Sequence, residues 1–153
     1  MSRSGFTTIE MVIVVVIIGV IAMIGFPKIR RTLDQTSVRS ARVSLNAFAA
    51  EARAVAAQRG CHAVVHFAGG TTSRAWVTAC PRLKPGAGTV DTVAMIDDVG
   101  ARFGVTMTYT RDSVQYDPRG LSMDNATTIV RFTGNVAGNT DSILINNLGR
   151  VVR

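Results

Sequence analysis

The sequence predicts an α+β fold in which one long N-terminal helix packs on an antiparallel β-sheet domain. The first observation is an unbroken apolar run from Met11 to Phe26, of the length and character of a helix. The second is a continued helical spacing of apolar residues as far as Arg59, where Gly60 supplies a stop. The third is a switch, from Cys61 onward, to short alternating segments separated by turn formers, which is typical of antiparallel strands.

The apolar run is long enough to cross a membrane. A helix from Phe6 to Pro27 is roughly 33 Å long at 1.5 Å per residue, and residues 12–18 are apolar on every side, as lipid requires. Glu10 lies directly before this run, and an ionised carboxylate in hydrocarbon is costly without a partner. A plain single-pass anchor is the alternative, but it leaves Glu10 without a purpose.

The segment Gly5-Phe-Thr-Thr-Ile-Glu10, followed by the apolar run, resembles the class III leader and N-terminal helix of type IV pilins and type II secretion pseudopilins. This resemblance implies a leader of residues 1–5, cleavage by a prepilin peptidase after Gly5, and methylation of the new amino group at Phe6. It also implies that Glu10 pairs with the N-terminus of a neighbouring pilin or pseudopilin. The chain would then be a single-pass inner-membrane protein with a periplasmic C-terminal domain, associated with a filament after assembly.

The charges that flank the apolar run predict the opposite orientation. Lys28, Arg30 and Arg31 follow the run, while the leader offers only Arg3 and the amino terminus. Because cytoplasmic flanks carry an excess of Lys and Arg, this pattern alone places the C-terminal domain in the cytoplasm. The resemblance and the cysteine pair both favour export, and we adopt export as the expectation.

The two cysteines lie symmetrically about a glycine-rich turn. Residues 61–67 and 74–80 predict a β-hairpin centred on Gly70-Thr71, and this register places Cys61 directly opposite Cys80. Directly opposed antiparallel residues lie within disulfide range, so we expect a Cys61–Cys80 bridge, which persists in an oxidising compartment such as the periplasm. Two buried free thiols are the alternative.

Residues 28–60 are expected to form the amphipathic second half of the helix, after the membrane half of residues 6–27. Pro27 should kink the helix, because proline removes one backbone hydrogen bond and clashes with the preceding turn. Arginines are expected on the other faces, at positions 30, 31, 39, 42 and 53. The predicted apolar stripe comprises Ile29, Leu33, Ser37, Ala41, Leu45, Phe48, Ala52 and Val55.

Residues 61–153 are expected to form the β-sheet domain. Asp117-Pro-Arg-Gly120 is a good type I turn. In this half, Val114–Gly120, Ile129–Phe132 and Ile143–Val152 resemble the GspH/FimT group of minor pilins and pseudopilins, which implies a type IV pilin-like fold. The candidate strands after the hairpin are Thr89–Ile96, Val105–Tyr109, Ser113–Tyr116, Thr127–Thr133, Asp141–Asn146 and Arg150–Arg153.

No residue pattern indicates catalysis, a cofactor or a metal. His62 and His66 share a strand face but lie roughly 13 Å apart, too far to share one metal ion, and we expect them on the outer face of the sheet. Asp97-Asp98 lacks further carboxylates at ligand-loop spacing and predicts a solvated turn. The chain is therefore expected to be the substrate of a peptidase and not an enzyme; a membrane-anchored periplasmic enzyme is a remote alternative.

The chain carries 17 Lys and Arg against 10 Asp and Glu, and its formal net charge is +7. FimT-like minor pilins bind DNA through a C-terminal glycine-arginine motif, and exposed arginines on such a tail grip phosphates without reading sequence. Here the second arginine falls three residues after the first, whereas one residue separates the two in the family pattern; on an extended strand this shift moves the side chain to the opposite face. An ordinary basic surface is an equal alternative. The candidate DNA-binding residues are Gly149, Arg150, Arg153, Arg119, Arg82 and Lys84.

Two functions therefore share one predicted architecture. A minor pilin of a type IV pilus would bind DNA for uptake through the basic tail. A structural minor pseudopilin of a type II secretion system would need Glu10 and its sibling subunits but not the basic tail. The sequence separates these two functions poorly.

Overall fold

The structure is a computed structural model that describes residues 7–70, 72–81, 90–93 and 95–152. One long helix, α1, is followed by short strands and a short second helix. The elements in chain order are α1 (Thr8–Arg59), β1 (Ala63–Ala68), β2 (Arg74–Ala79), β3 (Asp91–Thr92), β4 (Asp97–Asp98), α2 (Val99–Phe103), β5 (Val105–Tyr109), β6 (Ser113–Tyr116), β7 (Thr128–Gly134), β8 (Thr140–Ile145) and β9 (Val151–Val152).

Helix α1 runs without interruption for 52 residues and is capped at both ends. Thr7 is the N-cap, and its side chain and that of Glu10 form a reciprocal capping box. Gly60 ends the helix in the left-handed conformation, with φ of 63°, which a residue with a Cβ adopts only at a cost. Pro27 lies inside the helix, and the kink expected there stays a prediction.

The buried face of α1 differs from the predicted stripe at its beginning. Ile29 and Leu33 are 59% and 62% exposed, and the first buried residues are Asp34 and Val38. The reason is that the domain covers side chains of the helix only from Asp34 onward. The later members of the stripe are buried as expected: Ala41, Leu45, Phe48, Ala52 and Val55. Arg42 and Arg53, expected on the other faces, are half-buried at the edges of this face.

The strands form two antiparallel sheets rather than a single sheet. The first has the order β3-β2-β1-β6, with β4 also paired to β2, and the second has the order β5-β7-β8-β9. Helix α1 packs against strands of both sheets, so one core lies between the helix and the two inner sheet faces. This arrangement confirms the α+β fold with a long helix on antiparallel strands.

The register predicted for the first hairpin is wrong by one residue. A turn centred on Gly70-Thr71 predicts that Trp76 lies opposite Val65, whereas Val65 pairs with Val77 and His66 pairs with Trp76. The reason is the burial pattern: Val65 and Val77 must both face the helix, and residues that share a sheet face lie opposite each other across the ladder. The cysteines themselves lie just outside the paired residues.

Most of the later strands agree with the sequence within one residue. The segment Thr89–Ile96 is the exception: residues 82–89 and 94 lie outside the described residues, and the chain beyond residue 89 forms two short strands, β3 and β4. Helix α2 was not predicted, and Asp97-Asp98, expected as a solvated turn, forms the short strand β4 with both residues half-buried. Asp98 caps α2 by accepting a hydrogen bond from the Ala101 amide at 3.0 Å, and it also pairs with Arg74. The capping hydrogen bond and Arg74 together hold the pKa of Asp98 below its ordinary value, against the cost of desolvation.

Candidate assembly helix and basic surface

The first half of α1 exposes a continuous apolar surface. From Ile9 to Phe26 its large apolar side chains are between 45% and 83% exposed, and none of the residues 8–33 is buried. The helix contains a window with mean hydropathy of 2.9, which makes it long and apolar enough to cross a membrane by length and composition. An exposed apolar surface of this size requires lipid or a protein partner to cover it.

Glu10 stands at the N-terminal end of this surface. Its carboxylate accepts a hydrogen bond from the Thr7 amide at 3.5 Å, and its own amide donates to the Thr7 hydroxyl at 3.4 Å. A carboxylate in the first helical turn also interacts favourably with the helix dipole. Glu10 therefore caps its own helix, a role that was not predicted although the spacing Thr7-x-x-Glu10 signals it. Gly5 and Phe6 lie outside the described residues.

The disulfide expected between Cys61 and Cys80 is present, with 6.3 Å between the Cα atoms. Arg59, in the last turn of α1, reinforces it: its guanidinium donates to the Cys80 carbonyl at 2.6 Å and pairs with the Asp91 carboxylate at 3.1 Å. The covalent bridge and the arginine together attach the end of the helix to the ends of β2 and β3.

The C-terminal glycine of the basic tail has a structural role. Gly149 lies in the turn between β8 and β9 with φ of 78°, and its carbonyl accepts a hydrogen bond from the Tyr116 hydroxyl at 3.3 Å. A Cβ at this position would lie 2.6 Å from the Tyr116 ring and 2.9 Å from the Ser122 amide. The turn is completed by Asn146, whose side chain accepts from the Arg150 amide at 2.8 Å.

Arg150 is therefore held by a paired hairpin and is not part of a free tail. The Asn146 amide donates to the Arg150 carbonyl at 3.0 Å, and β9 follows at once, with Val151 opposite Ile145. The Arg150 side chain is exposed and makes no ion pair with the described residues. Arg153, the second arginine of the predicted motif, lies outside the described residues.

The other candidate cations have different surroundings. Asp117 and Gly120 close the predicted four-residue turn by a backbone hydrogen bond of 2.9 Å. Arg119 projects from this turn with 82% of its side chain exposed, but its guanidinium pairs with Asp117 at 2.8 Å. Hydrogen bonds from the Leu121 amide and from Arg119 hold the pKa of Asp117 below its ordinary value. Arg82 and Lys84 lie outside the described residues.

One further exposed cation, Arg131, was not predicted from the sequence. It lies on the outer face of the second sheet, opposite Ser142 on β8 and Thr108 on β5, and makes no ion pair with the described residues. The alternation of β7, in which Val130 and Phe132 are buried, is the signal that could have placed Arg131 outside.

The two histidines lie away from the helix, as expected. His62 is exposed, and the half-buried His66 stacks on Trp76 with 5.1 Å between ring centroids. Burial lowers the pKa of His66, and the nearby Asp112 opposes this shift in part. Within the described part of the chain, no three His, Cys, Asp or Glu side chains are grouped so that they could hold a metal ion.

The fold is that of solved type IV pilin structures. No family model and no curated protein matches the sequence. Two crystal forms of the type IV minor pilin FimU from Pseudomonas aeruginosa strain PAO1 do match the structure. In space group P21 the TM-score is 0.59 at 13% identity, covering 77% of this chain and 88% of that chain. In space group P65 the TM-score is 0.54 at 15% identity, and the match covers 74% of this chain and 90% of that chain. The chain therefore has the type IV pilin fold.

Proposed function

We propose that this chain is a minor pilin or pseudopilin that is processed by a prepilin peptidase and assembles into a filament. The observation that carries the proposal is the exposed apolar half of α1, with Glu10 at its start, continuous with a domain of the pilin fold. Cleavage after Gly5 leaves this half attached to the mature chain. Glu10 then exchanges its local contact with Thr7 for the amino group of Phe6 on a neighbouring subunit, and the apolar surfaces pack together.

The proposal places the mature chain in the inner membrane with its domain in the periplasm. Two features support this location: α1 is apolar enough to span a bilayer, and the Cys61–Cys80 disulfide persists in an oxidising compartment. The partners are then sibling pilins or pseudopilins, the peptidase and the membrane.

The first experiment is mass spectrometry of the N-terminus of the protein isolated from its own host. The expected N-terminal residue is a methylated Phe6, and a Gly5→Val variant should keep the leader. Glu10→Val should be cleaved and inserted normally but absent from the sheared filament fraction, since the intersubunit pairing is removed and the local cap with Thr7 contributes little to a helix of this length. A mature protein that begins at Met1, or a Glu10→Val variant that enters filaments at the wild-type level, would contradict the proposal.

DNA binding is a second candidate function, and the exposed Arg150 favours it. The β8–β9 turn holds this guanidinium at the surface without a carboxylate partner among the described residues. Such a group can contact a phosphate, and Arg131 lies exposed on the same sheet. The predicted partner of Arg150 in this role is Arg153.

A gel-shift titration over a salt series tests the second candidate. Arg150→Gln/Arg153→Gln should weaken binding and reduce the slope of log affinity against log salt by about 1 for each phosphate that the variant no longer neutralises. Arg39→Gln, which removes an exposed arginine from α1, is the matched control and should change neither quantity. If the folded, oxidised protein binds no DNA at low salt, the second candidate is overturned and a structural pseudopilin of a type II secretion system becomes the favoured alternative.

A further inference from the structure

The basic cluster after the apolar run, formed by Lys28, Arg30 and Arg31, lies beside a hairpin turn of the domain. Asp34, one turn further along α1, accepts hydrogen bonds from the amides of Val136 at 3.1 Å and Asn139 at 3.0 Å. The Asn139 side chain also donates to Asp34 at 2.9 Å and to the Arg31 carbonyl at 3.3 Å. The turn of residues 135–139 is therefore fixed to the helix at the level of Arg31.

This level coincides with the headgroup layer of a bilayer. Four residues of helix separate Pro27 from Arg31, which is about 6 Å at 1.5 Å per residue. The polar layer on each side of a bilayer core is about 5–7 Å thick. If the apolar run ends at the boundary of the hydrocarbon, the turn and the basic cluster both lie among the headgroups.

The side chains at this level fit an anionic lipid surface. Lys28, Arg30 and Arg31 are exposed and make no ion pair with the described residues. The Arg30 guanidinium lies back over the Phe26 ring, 4.7 Å from its centroid, so its charge is held at the end of the apolar run. The turn itself carries no charge at residues 135–139, and Val136 at its tip is 68% exposed.

We infer that the membrane-proximal end of the domain docks on anionic lipid headgroups through Lys28, Arg30, Arg31 and the turn of residues 135–139. The inference rests on the proposed insertion of α1 in a membrane and adds a specific partner, the anionic leaflet surface. Each cation near such a surface contributes about a fivefold preference, so the three together favour the docked state roughly a hundredfold. The basic cluster, whose position alone predicts a cytoplasmic domain, then binds anionic headgroups at the periplasmic surface.

Asp34 sets the height of the domain in this arrangement. Its carboxylate is buried and is held by the turn, and a Cβ at Gly134 would collide with it. The turn therefore cannot slide along the helix without breaking these hydrogen bonds. Docking positions the domain as a rigid body directly on the membrane before the subunit is taken into a filament.

The experiment uses the full chain in phosphatidylcholine vesicles with or without phosphatidylglycerol. A fluorophore is attached to cysteine in Val136→Cys, with the native disulfide kept oxidised, and is quenched by lipids with a nitroxide headgroup. Gln58→Cys is the matched control, since Gln58 lies on α1 about 40 Å from Arg31 and therefore far from the headgroups. We expect strong quenching at position 136 in the anionic vesicles, weaker quenching without phosphatidylglycerol, and none at position 58.

The basic cluster is tested with Lys28→Gln/Arg30→Gln/Arg31→Gln, which should reduce the quenching at position 136 in anionic vesicles to the level seen without phosphatidylglycerol. The inference would be overturned if the quenching at position 136 were the same in both kinds of vesicle and in this variant. It would also be overturned if the fluorophore at position 136 were not quenched at all. Carbonate extraction separates the two failures. A chain that resists extraction but is not quenched overturns the docking alone, while a chain that is extracted overturns the proposed insertion as well.

Discussion

Asp34 attaches the turn between β7 and β8 of the second sheet to α1. Its buried carboxylate accepts three hydrogen bonds from Val136 and Asn139. Asp34→Ala should lower the free energy of unfolding by about 2–4 kcal/mol, since three hydrogen bonds to a buried charged group are removed. Denaturant unfolding followed by Trp76 fluorescence measures this. Glu51→Gln, an exposed carboxylate on the same helix, is the control and should change it by less than about 0.5 kcal/mol.

The same carboxylate gives the stability a defined pH dependence. Burial opposes ionisation, but the hydrogen bonds from Asn139 and Val136 outweigh it and hold the pKa of Asp34 below its ordinary 3.8. A depressed folded-state pKa contributes stability above the unfolded value, and this contribution is lost as the pH falls below 3.8 through the folded-state pKa. Asp34→Asn should therefore show a shallower loss of stability between about pH 4 and pH 2 than the wild type. Parallel slopes for the two proteins would contradict this assignment.

At the scale of the element, the C-terminal hairpin depends on Gly149 for two separate reasons. The residue has a positive φ and also lies against Tyr116 and Ser122, whereas Gly138, with φ of 69°, has open space at its Cβ position. Gly138→Ala should cost only the backbone strain, about 1 kcal/mol. Gly149→Ala should cost clearly more and should speed amide exchange in β8 and β9. If the two variants lowered the free energy of unfolding equally, the close packing of Gly149 against Tyr116 would not contribute to the cost.

The disulfide also stabilises the domain, because it closes a loop with a sequence separation of 19 residues. Cys61→Ser/Cys80→Ser should lower the free energy of unfolding by about 3 kcal/mol, mainly by giving the unfolded chain more freedom. Reduction of the wild type with dithiothreitol should produce the same shift, and the double variant should not respond to the reductant. A reductant-sensitive double variant would show that the effect lies elsewhere.

The first hairpin shows how far sequence patterns reach at the level of an element. Symmetry about Gly70-Thr71 correctly indicated the cysteine bridge but predicted a register that is wrong by one residue. The alternation of buried Ala75, Val77 and Ala79 decided the register, and a turn centre alone cannot reveal it. Helix α2 was not predicted because five residues carry too little periodicity, although Asp98 before it is a good N-cap.

At the scale of the whole molecule, the fold class was predictable because both of its halves carry strong signals. The apolar run and its continuation specify one long helix, and the turn formers specify short strands. The division into two sheets was not predictable, since nothing in the strand sequences states which neighbour each strand takes. Long-range contacts set the start of the buried helical face as well: Asp34 is buried because Asn139 reaches it, and no local pattern around a lone aspartate indicates such a partner.

The folded domain should be stable without the apolar half of α1, and the boundary between the two should lie after Pro27. No residue from 8 to 33 is buried, and the first burial is at Asp34. A chain of residues 28–153 should therefore be soluble in the oxidised form and unfold in one cooperative transition. Its free energy of unfolding should match that of the full chain in detergent to within about 0.5 kcal/mol, because the removed residues make few contacts with the domain. Trp76 fluorescence follows the unfolding of the truncated chain and of the full chain.

A chain starting at residue 40, which also lacks Asp34 and Val38, is the matched comparison for this truncation. It should be less stable by several kcal/mol, as expected when a buried charged acceptor and an apolar side chain are both removed. If the two truncated chains were equally stable, the attachment at Asp34 would not contribute to the fold, and the fixed height of the domain above the membrane would lose its physical basis.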